Sequence, residues 1–123
     1  MFTITLLPIY LKCPKIFQCF SLPVKHEPPS ESWEIKTDTI FRSHVVQFTM
    51  NKSVVDKTLD GRKVNMIVTR HSENRWIEKQ IYVDNGKKET TIVRDFFPDR
   101  MMVNFTAGAA RSFSTFVRQF KKD

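Results

Sequence analysis

With 123 residues, 41% of them hydrophobic and 27% charged, the chain has material for one domain around one core, and a second domain is not expected. The formal net charge of +7 arises wholly beyond residue 40, because the first 40 residues hold four basic and four acidic side chains. A surface of that kind favours anionic membranes or nucleic acid as contacts without choosing between them.

The opening "MFTITLLPIYL" is apolar for about ten residues, short of the ~20 that a membrane-spanning helix needs, and Lys12, Pro14 and Lys15 interrupt the next stretch. It lacks the basic leader and small-residue cleavage site of a secretory signal, and "FTITLL" alternates like a short strand. Cys13 and Cys19 match no zinc or redox spacing and are read as free thiols. Pro23, Pro28 and Pro29 then remove backbone donors, so residues 21 to 31 read as a linker. The chain accordingly divides into an atypical N-terminal segment with its Pro-rich linker, 1–30, and a barrel, 31–123.

From Trp33 onward, alternation with a period of two dominates. "WEIKT" sets Trp33, Ile35 and Thr37 against Glu34 and Lys36, and "HVVQFTM" pairs Val46 with Phe48. "RKVNMIVT" sets Val64, Met66 and Val68 against Asn65, Ile67 and Thr69, and "RWIEKQIYV" comes after it. Breaks at 71–74, 84–88 and 98–99 read as hairpin turns, with Asn85-Gly86 the strongest signal because both residues tolerate positive φ. Strands at this spacing predict an all-β fold, an antiparallel up-and-down meander that hides its edges by closing into a barrel.

A barrel has an inside, and "TTIVRDFF" puts Arg94 there, in phase with Ile92 and Phe96. Met101, Val103 and Phe105 share a face in the next stretch, and Phe116, Arg118 and Phe120 share one in the last. Two arginines therefore face the apolar side, where an unpartnered charge costs several kcal/mol; something anionic or hydrating must meet them. A bound carboxylate with trapped water would do so, and a register slip that turns one arginine to solvent is the alternative.

These residues carry a resemblance. "WEIKTDTIF" (33–41), "DKTLDGRKV" (56–64), "TTIVRD" (90–95) and the terminal "RQF" (118–120) resemble successive segments of the intracellular lipid-binding proteins, the fatty-acid-binding protein family, over residues 31–123. The resemblance implies a flattened barrel around a water-containing cavity, a helix-turn-helix lid, and a cytoplasmic, monomeric, non-enzymatic carrier of long-chain fatty acids or related hydrophobic carboxylates. It implies that Arg94 and Arg118 hold the ligand carboxylate, with Phe120 standing where the family has a tyrosine and lacking that residue's hydroxyl. It also implies a portal aromatic at Phe41 and a basic residue near the same opening at Arg62. Ile92, Val103 and Phe105 would line the cavity. No cofactor is expected.

Two departures qualify it. The stretch from Gly108 to Arg118 is longer than the family's, which leaves Arg111 as the alternative to Arg118. The family's Gly-x-Trp first strand and two helices are not recognisable before "WEIKT", so the expected barrel is incomplete, with an irregular or partly ordered N-terminal segment and unpaired edges. A truncated or variant member without ligand binding is therefore the rival reading, followed by a basic barrel binding single-stranded nucleic acid, for which no RNA-reading motif is present. His26, His44 and His71 are too scattered to predict a metal site, and no nucleophile elbow or phosphate loop points to an enzyme. Transient contact with anionic membranes is expected from the charge; nucleic acid is not an expected partner.

Overall fold

The computed structural model describes residues 8–22, 31–58, 61–84, 86 and 88–119. Ten strands succeed one another along the chain: β1 (Ile9–Cys13), β2 (Ile16–Ser21), β3 (Ser32–Asp38), β4 (Ser43–Thr49), β5 (Val54–Lys57), β6 (Lys63–Ser72), β7 (Arg75–Tyr82), β8 (Glu89–Phe96), β9 (Arg100–Ala107) and β10 (Ala110–Gln119). They form a single antiparallel sheet in the order β4-β3-β2-β1-β10-β9-β8-β7-β6-β5. The expected up-and-down barrel is the observed fold.

The N-terminal segment differs from expectation. Over residues 9–21 it is a regular hairpin, turning at Pro14-Lys15, with Ile9 opposite Phe20 and Cys13 opposite Ile16. β1 then pairs with β10 through Tyr10–Gln119, Leu11–Arg118 and Lys12–Val117, and β2 pairs with β3. The hairpin thus supplies the wall that was expected to be missing. Two residues join β1 to β2, so the helical lid implied by the resemblance has no place between them. The "FTITLL" strand, residues 23–30 of the linker, Asn85 of the expected turn, and Phe120 lie outside the described residues.

β4 and β5 end the sheet and are not paired with each other. Two links hold the seam: Asn51, at φ 67°, donates its backbone N–H to Val68 O at 2.8 Å, and farther along His44 Nε2 lies 3.0 Å from Asp56 Oδ2.

Inward-facing residues divide the barrel into two levels. At one end Phe20, Trp33, Phe48, Trp76 and Phe96 meet edge to face, with Trp76 at the centre and ring centroids 4.9 to 6.1 Å from it. Edge-to-face contact suits the ring quadrupoles, and the cluster seals that end. Glu31 accepts from Trp33 Nε1 at 3.2 Å and pairs with Arg70, whose guanidinium lies 5.9 Å from the Trp76 ring centroid. Two residues farther along the same faces, Gln18, Glu78 and Arg94 are polar, Ile35 and Val46 stay apolar, and a cavity opens between them.

Cys13 packs half-buried against the core at the end of β1. Burial pushes its thiol above the ordinary value of 9.0, outweighing backbone hydrogen bonds that lower it. Because the folded value is raised, the protonated thiol's contribution to stability is present below 9.0 and lost as pH rises through the folded value. Cys13 is expected to react with iodoacetamide at pH 8 several-fold more slowly, about threefold or more, than in the urea-unfolded chain. Equal rates would contradict its burial.

Candidate ligand-binding site

The open half of the barrel encloses a cavity of about 520 Å³. That volume lies within the ~300–1,000 Å³ range of small-molecule sites. Its apolar wall comes from Ile16, Ile35, Val46, Met66, Ile92 and Phe116. These are the same-face residues of their strands, so the alternation that makes the sheet also lines the cavity.

Arg94 enters this wall as its phase predicted. Cross-strand register sets Arg94 opposite Trp76 on β7 and Val103 on β9, and sets Ile92 opposite Glu78. Glu78 is therefore the diagonal neighbour of Arg94 on the same face. Arg94 Nη1 donates to Glu78 Oε1 at 2.6 Å, and Gln80 Nε2 donates to Glu78 Oε2 at 2.6 Å. The two charged side chains are 8% and 4% exposed. The anion that Arg94 requires comes from the neighbouring strand. Its guanidinium also lies 5.9 Å from the Phe20 ring centroid, at the boundary with the aromatic cluster. Arg94 Nε is buried without a hydrogen-bond partner among the described residues.

Other polar groups surround the same space. Gln18 donates to Thr37 Oγ1 at 3.1 Å, His44 faces Asp56, and Thr90, Ser112 and Ser114 present hydroxyls. Glu78 and Gln80 went unnoticed in the sequence, although the signal was there: both are in phase with Trp76 in "RWIEKQIYV". Gln18 was missed because its strand was not recognised.

Of the residues expected at a site, Arg94, Ile92, Val103 and Phe105 line the cavity together. The others are elsewhere. Arg118 is on the inward phase but lies past Phe116 at the sealed end, opposite Leu11, and its Nη1 donates to Pro98 O at 3.3 Å. Arg111 stands on the outward phase of β10, exposed, opposite Thr106. Phe41 is 86% exposed in the β3–β4 turn at the open end. Arg62 sits at the rim beside Tyr82, whose hydroxyl accepts from its Nη1 at 3.2 Å. Phe120 lies outside the described residues.

No family model matches the chain. Among curated proteins, a fatty acid-binding protein of Tyrophagus putrescentiae is 28% identical over 89 residues, covering 72% of this chain and 65% of that protein. Cellular retinoic acid-binding protein 1 of Gallus gallus is 27% identical over the same shares. Fatty acid-binding protein type 2 of Fasciola hepatica is 32% identical over 82 residues, 66% of this chain and 59% of that protein. The chain thus spans less than two thirds of the length of these relatives. Among solved structures, the Schistosoma mansoni fatty acid binding protein in complex with arachidonic acid superposes with a TM-score of 0.70 at 22% identity, over 85% of this chain and 72% of that one. The extracellular fatty acid binding protein As-p18 gives 0.76 at 13% identity over the same shares, and these two likenesses establish the fold. In sequence the chain is similar to fatty acid-binding and cellular retinoic acid-binding proteins, and its fold is that of the solved fatty acid-binding proteins.

Proposed function

We propose that the chain is a non-enzymatic carrier of a long-chain lipid, whose acyl tail lies in the barrel and whose polar head reaches the Arg94–Glu78–Gln80 cluster. The observation that carries the reading is the cavity itself: about 520 Å³, walled by apolar side chains, with one buried polar cluster set into it. The relatives' printed names, and the arachidonic acid named with one neighbour, support a lipid as occupant. The sequence suggested a head-group anchor of two arginines. It reduces to Arg94, because Arg118 faces Pro98 on the far side of the aromatic cluster.

Burying an acyl tail contributes about 0.8 kcal/mol per methylene, on the order of ten kcal/mol for a long chain before ordering costs. Micromolar binding corresponds to about 8 kcal/mol, so it is reached when ordering the tail and desolvating the head cost no more than about 2 kcal/mol. Delivery to anionic bilayers is supported by Ile40 and Phe41, 72% and 86% exposed at the open end, with Arg42 next in the chain and Arg62 at the cavity rim.

The test is titration of the purified full-length chain with a fluorescent long-chain acyl probe. Saturable binding at one probe per chain, with Kd in the micromolar range or below, is expected. Val103→Trp, which fills the cavity opposite Arg94, should weaken it about tenfold or more while the far-ultraviolet spectrum stays that of a β-protein. A folded chain that binds no probe would overturn the reading.

A further inference from the structure

Arg94 meets the cavity with its charge already matched. Both oxygens of Glu78 are engaged, Oε1 by Arg94 and Oε2 by Gln80, each at 2.6 Å, and the pair is almost wholly buried. Asp56 lines the same cavity, facing His44 at 3.0 Å. The wall therefore sets two carboxylates against one permanent cation. A ligand carboxylate placed at this cluster adds a third negative charge beside Glu78, against a protein wall that screens charge less than bulk water does.

What the cluster does lack is an acceptor. Arg94 Nε is a buried donor with no partner among the described residues, on a side chain that lines the cavity. A buried N–H left in that state is costly, and an uncharged oxygen satisfies it as well as a charged one does without adding repulsion. Thr90, Ser112 and Ser114 add hydroxyls that can accept from, or donate to, the same head group.

Resting on the carrier reading above, we infer that the lipid this cavity selects has a neutral oxygen-bearing head, such as a hydroxyl, ester or amide, in preference to a free carboxylate. Glu78 is the specificity-determining residue: by neutralising Arg94 from within the wall it does what a fatty-acid carboxylate would otherwise do. Glu78 then selects against an anion, while the hydroxyls of Thr90, Ser112 and Ser114 offer a neutral head both donors and acceptors.

The experiment uses the full-length chain loaded with a neutral-headed fluorescent acyl probe at neutral pH, displaced in turn by oleyl alcohol, oleamide and oleate. These competitors share one tail and differ in the head. The alcohol and the amide are expected to displace the probe at concentrations about tenfold or more below oleate, the scale of one uncompensated like charge. Oleate displacing as well as or better than both would overturn the inference while leaving the carrier reading intact. A chain that binds no probe would remove both. Glu78→Gln provides the second arm, because the amide preserves the hydrogen bond from Arg94 and removes the negative charge. The ratio of oleate to oleyl alcohol affinity should rise about tenfold in that variant, and an unchanged ratio would overturn the role given to Glu78.

Discussion

Trp76→Ala is expected to destabilise the protein by about 3–5 kcal/mol, enough to unfold a large share of it at 37 °C. Trp76 is 0% exposed and its ring meets those of Phe20, Trp33, Phe48 and Phe96, contributed by β2, β3, β4 and β8. Those strands come from both halves of the sheet order, so one side chain joins walls that backbone pairing leaves far apart. Edge-to-face pairs each add about 0.5–1.5 kcal/mol beyond buried area, and their loss comes on top of the cavity left behind. Urea unfolding monitored by far-ultraviolet dichroism measures the change. A loss of less than about 1 kcal/mol would mean that the aromatic cluster does not close the barrel.

Arg94→Ala is expected to cost about 3–5 kcal/mol for a different reason: it leaves the Glu78 carboxylate buried with Gln80 as its remaining donor. The diagnostic comparison is the double variant Arg94→Met/Glu78→Leu. Removing both charges together leaves none uncompensated, so the double is expected to lie within about 2 kcal/mol of the wild type. If its cost equals the sum of Arg94→Met and Glu78→Leu made singly, the pair is not coupled. This cycle separates the stability of the cluster from its part in ligand choice.

Much of the barrel could be read from alternation alone. In β3, β4, β6, β8, β9 and β10 the phase was legible, because one face is buried and a slip of one residue would expose every apolar side chain in it, whereas the four-residue β5 was not read as a strand. The requirement that something anionic meet Arg94 was legible too. That the anion is Glu78 was not, since it emerges only from the register that makes Glu78 and Arg94 diagonal neighbours across β7 and β8. Arg118 marks a second limit. Its phase is inward as read, but phase does not give height along the barrel axis, and Arg118 lies beyond Phe116 where the cavity has ended.

The N-terminal hairpin escaped because β2 breaks the pattern at its centre, although Ile9 and Leu11 on β1 and Ile16 and Phe20 on β2 turn inward in ordinary alternation. Gln18 points into the cavity, where it donates to Thr37, while Phe17 points out and stacks against Tyr10 with centroids 6.1 Å apart. Alternation with a polar residue inside and an aromatic outside does not read as a half-buried strand. Only the pairing of β1 with β10 shows that these residues complete the wall. The polar inward residue is itself a consequence of the cavity, so the element hardest to read is one that borders the site.

The most direct measurement is a set of intermolecular nuclear Overhauser effects between a carbon-13-labelled acyl chain and the methyl groups of the protein. Contacts from the tail to Met66, Ile92 and Val103, whose side chains line the interior, are what a lipid carried inside the barrel produces. Contacts confined to Val45, Val55 and Val117, which are exposed on the outside, would contradict it.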